Sequence, residues 1–286
     1  MKLVEYSKSS EWKEKGYVLP SYDRDALVKK TVEEPTWIHF GAGNIFRAFP
    51  AAVLENMLNS GVYDRGVIVS EGFDTEIIDK AYAPYDSLSL LVVLKADGSI
   101  DKRVIGSVTE SLKADVTVQS DWNRLKEVFV KPSLQMVSFT ITEKGYSVIG
   151  PDGQPHAFVK KDLDEKGLLP DNIMGKICAL LYERFKSNAM PIAMVSMDNC
   201  SHNGDKLKAA VLFFAEQWLA KGLVEPEFLA YLKDESKVSF PWSMIDKITP
   251  RPDETVRKML SEDGFEDTEL IITSRNTYTA PFVNAE

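Results

Sequence analysis

The chain has 286 residues, with 34 Lys and Arg against 43 Asp and Glu, a formal net charge of −9, 44% apolar residues and 10% aromatic ones. This is enough apolar material for a substantial core, and it excludes a disordered, collagenous or disulfide-stapled chain. The acidic balance repels phosphate backbones and no run of Lys and Arg offsets it, so nucleic acid is not an expected partner.

The first 35 residues are polar, end in Glu33-Glu34-Pro35 and read as a leader lying on the surface of the domain behind it. Residues 36–286 read as a single dinucleotide-binding domain. It opens with Thr-Trp-Ile-His-Phe (36–40), a run of β-formers, followed by Gly41-Ala42-Gly43. A helical pattern then passes through Ala51, Val53, Leu54, Met57 and Leu58 to Gly61, and Gly-Val-Ile-Val-Ser (66–70) is the next strand. This is a β-α-β unit of about thirty-five residues, long enough for a parallel crossover. Residues 88–94 and 103–108 flank Ala-Asp-Gly-Ser and predict a β-hairpin.

Helical spacing returns at 122–129, and 135–142 is a buried strand by its β-branched and aromatic content. A helix from Asp171, its N-cap candidate, to Phe185 precedes a strand at 192–197, a helix at 201–219 and a short helix at 225–233. The alternation predicts an α/β fold, a Rossmann-type doubly wound and mostly parallel sheet with an inserted hairpin. Glu269 to Ser274 reads as a strand, after which the sequence ends without a capping helix and looks cut off.

Gly41 and Gly43, after a strand and before a helix, form the opening of a dinucleotide-binding turn. The first glycine permits the bend, the second lets backbone approach a pyrophosphate, and the helix start offers free N–H groups. Asn44, Phe46 and Arg47 in the first helical turn are cofactor-binding candidates, Arg47 as a pyrophosphate partner or as packing, and Phe46, in the place of the usual third glycine, as a cofactor neighbour or as core. Glu71, with Asp74 in reserve, follows the second strand where a carboxylate accepts ribose hydroxyls and repels a 2′-phosphate, which favours NAD over NADP. A structural turn and a solvated loop carboxylate are the plainer readings, and S-adenosylmethionine enzymes use a similar loop and acid. Thr142 and Glu143 leave the end of a buried strand, where doubly wound sheets place ligands, and are candidates for the nicotinamide half. Cys178 and Cys200 are too far apart for a C-x-x-C, and His39, His156 and His202 show no ligand spacing, so no metal is expected. No stretch approaches the ~18 apolar residues of a membrane helix and no signal core opens the chain. The reading is a cytoplasmic protein with no membrane partner.

Four segments carry a family resemblance: Phe40-Gly-Ala-Gly-Asn-Ile-Phe-Arg-Ala-Phe49, Thr140-Ile-Thr-Glu-Lys-Gly-Tyr146, Ser196-Met-Asp-Asn-Cys-Ser-His-Asn-Gly204 and Phe240-Pro-Trp-Ser-Met-Ile-Asp-Lys-Ile-Thr-Pro-Arg251. In this order they resemble the mannitol dehydrogenase family of long-chain polyol dehydrogenases, in which a Phe or His replaces the third glycine. The resemblance implies an N-terminal Rossmann domain for NAD(H), a helical C-terminal catalytic domain and hydride transfer between a sugar ketone and an alcohol without zinc. By motif match, Asn199 would stabilise the developing alkoxide and Asp246 would support the proton-transfer lysine electrostatically. Lys144 would meet a substrate carboxylate, because Thr-Glu-Lys-Gly-Tyr is more typical of hexuronate reductases. The family's Lys…Asn…His segment is not found, so the helical catalytic domain is expected to be absent. The expected substrate is a small sugar or sugar acid of the fructuronate/D-mannonate type. The alternatives are mannitol or another polyol, or an NAD-binding module without turnover.

Overall fold

The computed structural model describes residues 1–285. Along the chain, α1 (Glu11–Glu14), β1 (Tyr17–Val18) and α2 (Arg24–Glu33) precede β2 (Trp37–Phe40), α3 (Asn44–Ala48) and α4 (Pro50–Asn59). Next come β3 (Val67–Glu71), β4 (Ser89–Leu94), β5 (Ile100–Ile105), β6 (Val108–Lys113), α5 (Gln119–Phe129) and β7 (Met136–Phe139). They are followed by α6 (Ala157–Lys161), α7 (Ile173–Ser187), β8 (Ile192–Ser196), α8 (Asn203–Ala220), α9 (Pro226–Lys233) and β9 (Val238–Ser239). The described course closes with α10 (Glu254–Glu262), β10 (Ile271–Ile272), β11 (Tyr278–Thr279) and β12 (Phe282–Ala285). Two compact units result, one of Met1–Pro35, Gly41–Leu112 and Lys247–Glu286, the other of Thr36–Phe40 and Lys113–Asp246. This division differs from the expected leader and single domain, because the chain leaves each unit and returns to it.

In the second unit β2, β7, β8 and β9 lie side by side and parallel, with Phe40 opposite Phe139, Phe139 opposite Ser196 and Ile192 opposite Val238. Ile38, Phe40, Val137, Phe139, Ile192 and Met194 are buried, and so are His39 and Ser138 between them, so β2 and β7 are covered on both faces. Asn172, one residue beyond the expected Asp171, caps α7 by accepting from the Met174 amide at 2.8 Å. Buried Arg184 on α7 donates to the carbonyls of Phe129, Lys131, Leu134, Met190 and Pro191. One guanidinium thereby satisfies the carbonyls at the end of α5 and at the approaches to β7 and β8. His39 is structural, its ring bonded to Ser138 and Thr140.

The first unit contains a four-stranded sheet in the order β1-β5-β4-β12. The expected hairpin is its centre: β4 and β5 are antiparallel, with Ser89 opposite Ile105 and Leu94 opposite Ile100. A separate strand, β6, takes Val108 onward and neighbours β3. The N-terminal segment is not a surface leader. Leu3, Trp12 and Tyr17 are buried with Leu90, Val104 and Phe282 in one core, and β1 pairs with β5. Three large apolar groups cannot stay in water when such a core is within reach, whatever the polarity between them. The tail differs as well. The expected strand at 269–274 shrinks to β10, which forms a small hairpin with β11, and β12 joins the main sheet parallel to β4.

Candidate functional site

The glycine turn lies in the first unit and begins where β2 ends. Gly41 has φ +115°, a conformation open to glycine but strained for other residues, and its amide donates to Ser70 O at 2.8 Å. Gly43 leads into α3, and a Cβ built on it meets nothing within 4 Å, so open space lies beside that backbone. A carboxylate holds the bend in place. Glu71 Oε2 accepts from the Ala42 amide at 2.8 Å, and Oε1 accepts from the amides of Phe73 at 2.8 Å and Asp74 at 3.2 Å. The Tyr82 hydroxyl donates to Ala42 O at 3.0 Å.

Three of the expected cofactor residues bond or pack within the protein itself. Glu71 is 8% exposed and braces the loops through three backbone amides instead of reaching outward. Phe46 is fully buried, a core residue of α3. Arg47 is 1% exposed, and its guanidinium donates to Ala280 O at 2.7 Å, Thr279 Oγ1 at 2.5 Å and Asn44 Oδ1 at 2.9 Å. Asn44 also donates to Tyr278 O at 3.2 Å. The tail segment after β10 covers this helix, so both side chains turn inward. Arg47 still places a buried positive charge in the first helical turn after the glycines, where low polarisability extends its field.

The second unit builds another set of loops at the carboxyl ends of neighbouring strands β7 and β8. Their link is Asp198, which sequence reasoning passed over for its neighbour Asn199. Asp198 Oδ2 accepts from the Ile141 amide at 3.0 Å and from the Tyr146 hydroxyl at 2.5 Å, while Oδ1 accepts from the Thr142 amide at 2.9 Å. Burial pushes this carboxyl above the usual aspartate range, and the three donors oppose that rise. Thr142 has φ +65°, a strained conformation for a β-branched residue that this bond helps to hold. Thr142, Glu143, Lys144 and Asn199 all stand on these loops with solvent access. Glu143 pairs with Lys206, whereas the Lys144 ammonium and the Asn199 amide have no side-chain partner among the described residues.

Asn203 is the second residue missed. It donates to Ser196 O, Asp198 O and Ser243 O and accepts from the Ser243 amide at 3.1 Å. A Cβ on Gly204 would stand 2.5 Å from Phe240 O, so backbone passes directly over this glycine. Two of the quoted motifs are thus one packed structure, and the signal was their joint presence. None of Asp198, Asn199 or Ser201 caps α8, which His202 precedes in a left-handed conformation. Asp246 is exposed rather than buried and has no ion pair among the described residues. The described residues contain no group of three His, Cys, Asp or Glu able to hold a metal ion, and no helix long and apolar enough to cross a membrane.

The glycine turn opening a β-α-β unit and the loops at the strand ends can be compared with known proteins. The family description "Mannitol dehydrogenase Rossmann domain" matches residues 35–272. The chain belongs to the mannitol dehydrogenase family. This bears out the resemblance carried by the four motifs and the Rossmann-type fold with its mostly parallel sheet. A D-mannonate oxidoreductase of Thermotoga maritima is 50% identical over 275 residues, covering 96% of this chain and 50% of that protein. A polyol:NADP oxidoreductase of Gluconobacter oxydans is 29% identical over 256 residues, covering 87% of this chain and 48% of that protein. Among solved structures, the Pseudomonas fluorescens mannitol 2-dehydrogenase in ternary complex with NAD and D-mannitol aligns with a TM-score of 0.75 at 26% identity. That alignment covers 99% of this chain and 53% of that one. The chain spans about half the length of the curated family members it matches.

Proposed function

We propose that this chain is the NAD-binding part of a cytoplasmic oxidoreductase that interconverts a sugar-acid ketone and its alcohol, of the fructuronate/D-mannonate type. The observation that carries the reading is the 50% identity to a D-mannonate oxidoreductase across 96% of this chain. The residues present fit the cofactor: Gly41 makes the bend, and the open space beside Gly43 admits a pyrophosphate against the backbone. The dinucleotide, when bound, supplies or accepts the hydride. The negative charge of Glu71 and Asp74 at the end of β3 disfavours a 2′-phosphate, hence NAD over NADP. In the second unit the free Asn199 amide donates to the carbonyl oxygen as it gains charge. Lys144, an exposed cation without an ion pair among the described residues, pairs with the substrate carboxylate. Asp246 lends its negative charge to the proton-transferring group.

Calorimetric titration with NADH and NADPH tests the cofactor reading. NADH is expected to bind, and more tightly than NADPH. Gly43→Ala is expected to fold with unchanged stability, because its Cβ meets nothing, and to lose NADH affinity because the ligand needs that space. No binding, or equal affinity in the variant, would overturn the reading. Polyol oxidation is the second reading, favoured by the mannitol complex among the structural neighbours. Assay of fructuronate, tagaturonate, fructose and fructose 6-phosphate on the protein at its relatives' length separates the two.

A further inference from the structure

Phe73 is 72% exposed, an unusual place for a phenyl ring, and the Arg275 guanidinium lies over it, Cζ to ring centroid 4.6 Å. Arg275 is itself exposed and makes no ion pair among the described residues, although the chain carries 43 carboxylate side chains. Neither group is held there by a core or by a salt bridge. Both sit on a fixed framework. The Phe73 amide bonds Glu71, and Glu71 bonds the Ala42 amide inside the glycine turn. Asp74 Oδ2 accepts from Thr273 Oγ1 and Thr277 Oγ1, each at 2.5 Å, which pins the turn carrying Arg275 to the same loop. Ser274 is bonded to Glu76 as well. The stacked pair is therefore tied, through a continuous chain of hydrogen bonds within one unit, to the backbone proposed to hold the pyrophosphate.

The loop after the second strand of a β-α-β unit is where the adenosine end of a dinucleotide lies. An aromatic face and a planar guanidinium are the groups that take a purine by stacking. Glu71, turned inward, leaves that end of the site without its expected partner. We propose that Phe73 and Arg275 form the platform for the adenine of the dinucleotide, both by stacking. This rests on the NAD-binding reading above and names the two residues that recognise the adenosine end.

The test is calorimetric titration of the 286-residue chain with NADH and with ADP-ribose. Phe73→Ala and Arg275→Ala are each expected to weaken both ligands in parallel by about five- to a hundredfold. Phe73→Trp, which keeps an aromatic face, is expected to retain affinity. Melting temperatures are expected to stay at the wild-type value, because both side chains are exposed. Wild-type binding of NADH with unchanged affinity in both alanine variants overturns this platform and leaves the cofactor reading standing. Failure of the wild-type chain to bind NADH overturns both.

Discussion

A half-buried carboxylate that accepts several donors is worth more to a loop than its charge suggests, because removing an acceptor leaves the donors unsatisfied. Asp198 is such a group. It receives the amides of Ile141 and Thr142 and the hydroxyl of Tyr146, and so joins the loops after β7 and β8. Asp198→Asn keeps the shape but replaces one acceptor with a donor that faces another donor. The expected cost is about 1–3 kcal/mol in urea unfolding, with unchanged denaturant dependence. A variant as stable as the wild type would show that these loops are held by other contacts. The residue was legible only as a neighbour. A motif displays Asp198 and Asn199 side by side, but which one turns inward depends on the path of the chain, which no spacing rule contains. The same holds for Arg47 and Glu71, whose types suited a ligand and whose positions were decided by the tail packing over α3 and by free amides at Ala42, Phe73 and Asp74.

The main elements announced themselves, since β2, β3, β7 and β8 are short, mostly apolar runs and α5, α7 and α8 are long enough to show their period. What stayed hidden were strands of two residues. β1 owes its pairing to distant β5, β11 to its hairpin with β10, which was read only as part of a longer strand at 269–274, and a two-residue segment has no periodicity to read. Beside the bonds from Thr273 and Thr277 to Asp74, the β10–β11 hairpin is seated on the loop after β3 by the bond of Ser274 to Glu76, which also pairs with Lys80. Glu76 is held down at about 2, first by its bond to Lys80 and then by those to Ser274. A carboxylate whose folded value lies below the ordinary 4.5 contributes stability above that ordinary value and loses it as the pH falls toward about 2. The melting-temperature advantage of the wild type over Glu76→Gln is therefore expected to be full at neutral pH and to close as pH drops through that window. An advantage that persists at the acid end would mean that the charge is not what seats the hairpin.

Composition set the class of molecule, yet it did not reveal that each unit is assembled from separated stretches of chain. Sequence reading proceeds in order and favours contiguous domains, whereas burial rewards any segments that bring apolar surface together. Charge poses the corresponding question for binding. A chain of net −9 proposed to take an anionic dinucleotide must rely on local groups, namely the amides of the glycine turn, buried Arg47 and the Arg275 guanidinium. Dispersed acidic side chains act over distances that salt screens, since the Debye length is about 10 Å at 0.1 M. Contacts at hydrogen-bond range are screened far less. Raising salt therefore removes repulsion and some attraction together, and the NADH dissociation constant is expected to change by less than about threefold between roughly 50 and 200 mM salt. A protein that follows a phosphate backbone loses about 10³–10⁵ in affinity over the same range. A steep loss of NADH affinity would show that exposed cations dominate the binding, whereas a flat response together with no measurable binding of duplex DNA at low salt would place recognition in the short-range geometry of the turn.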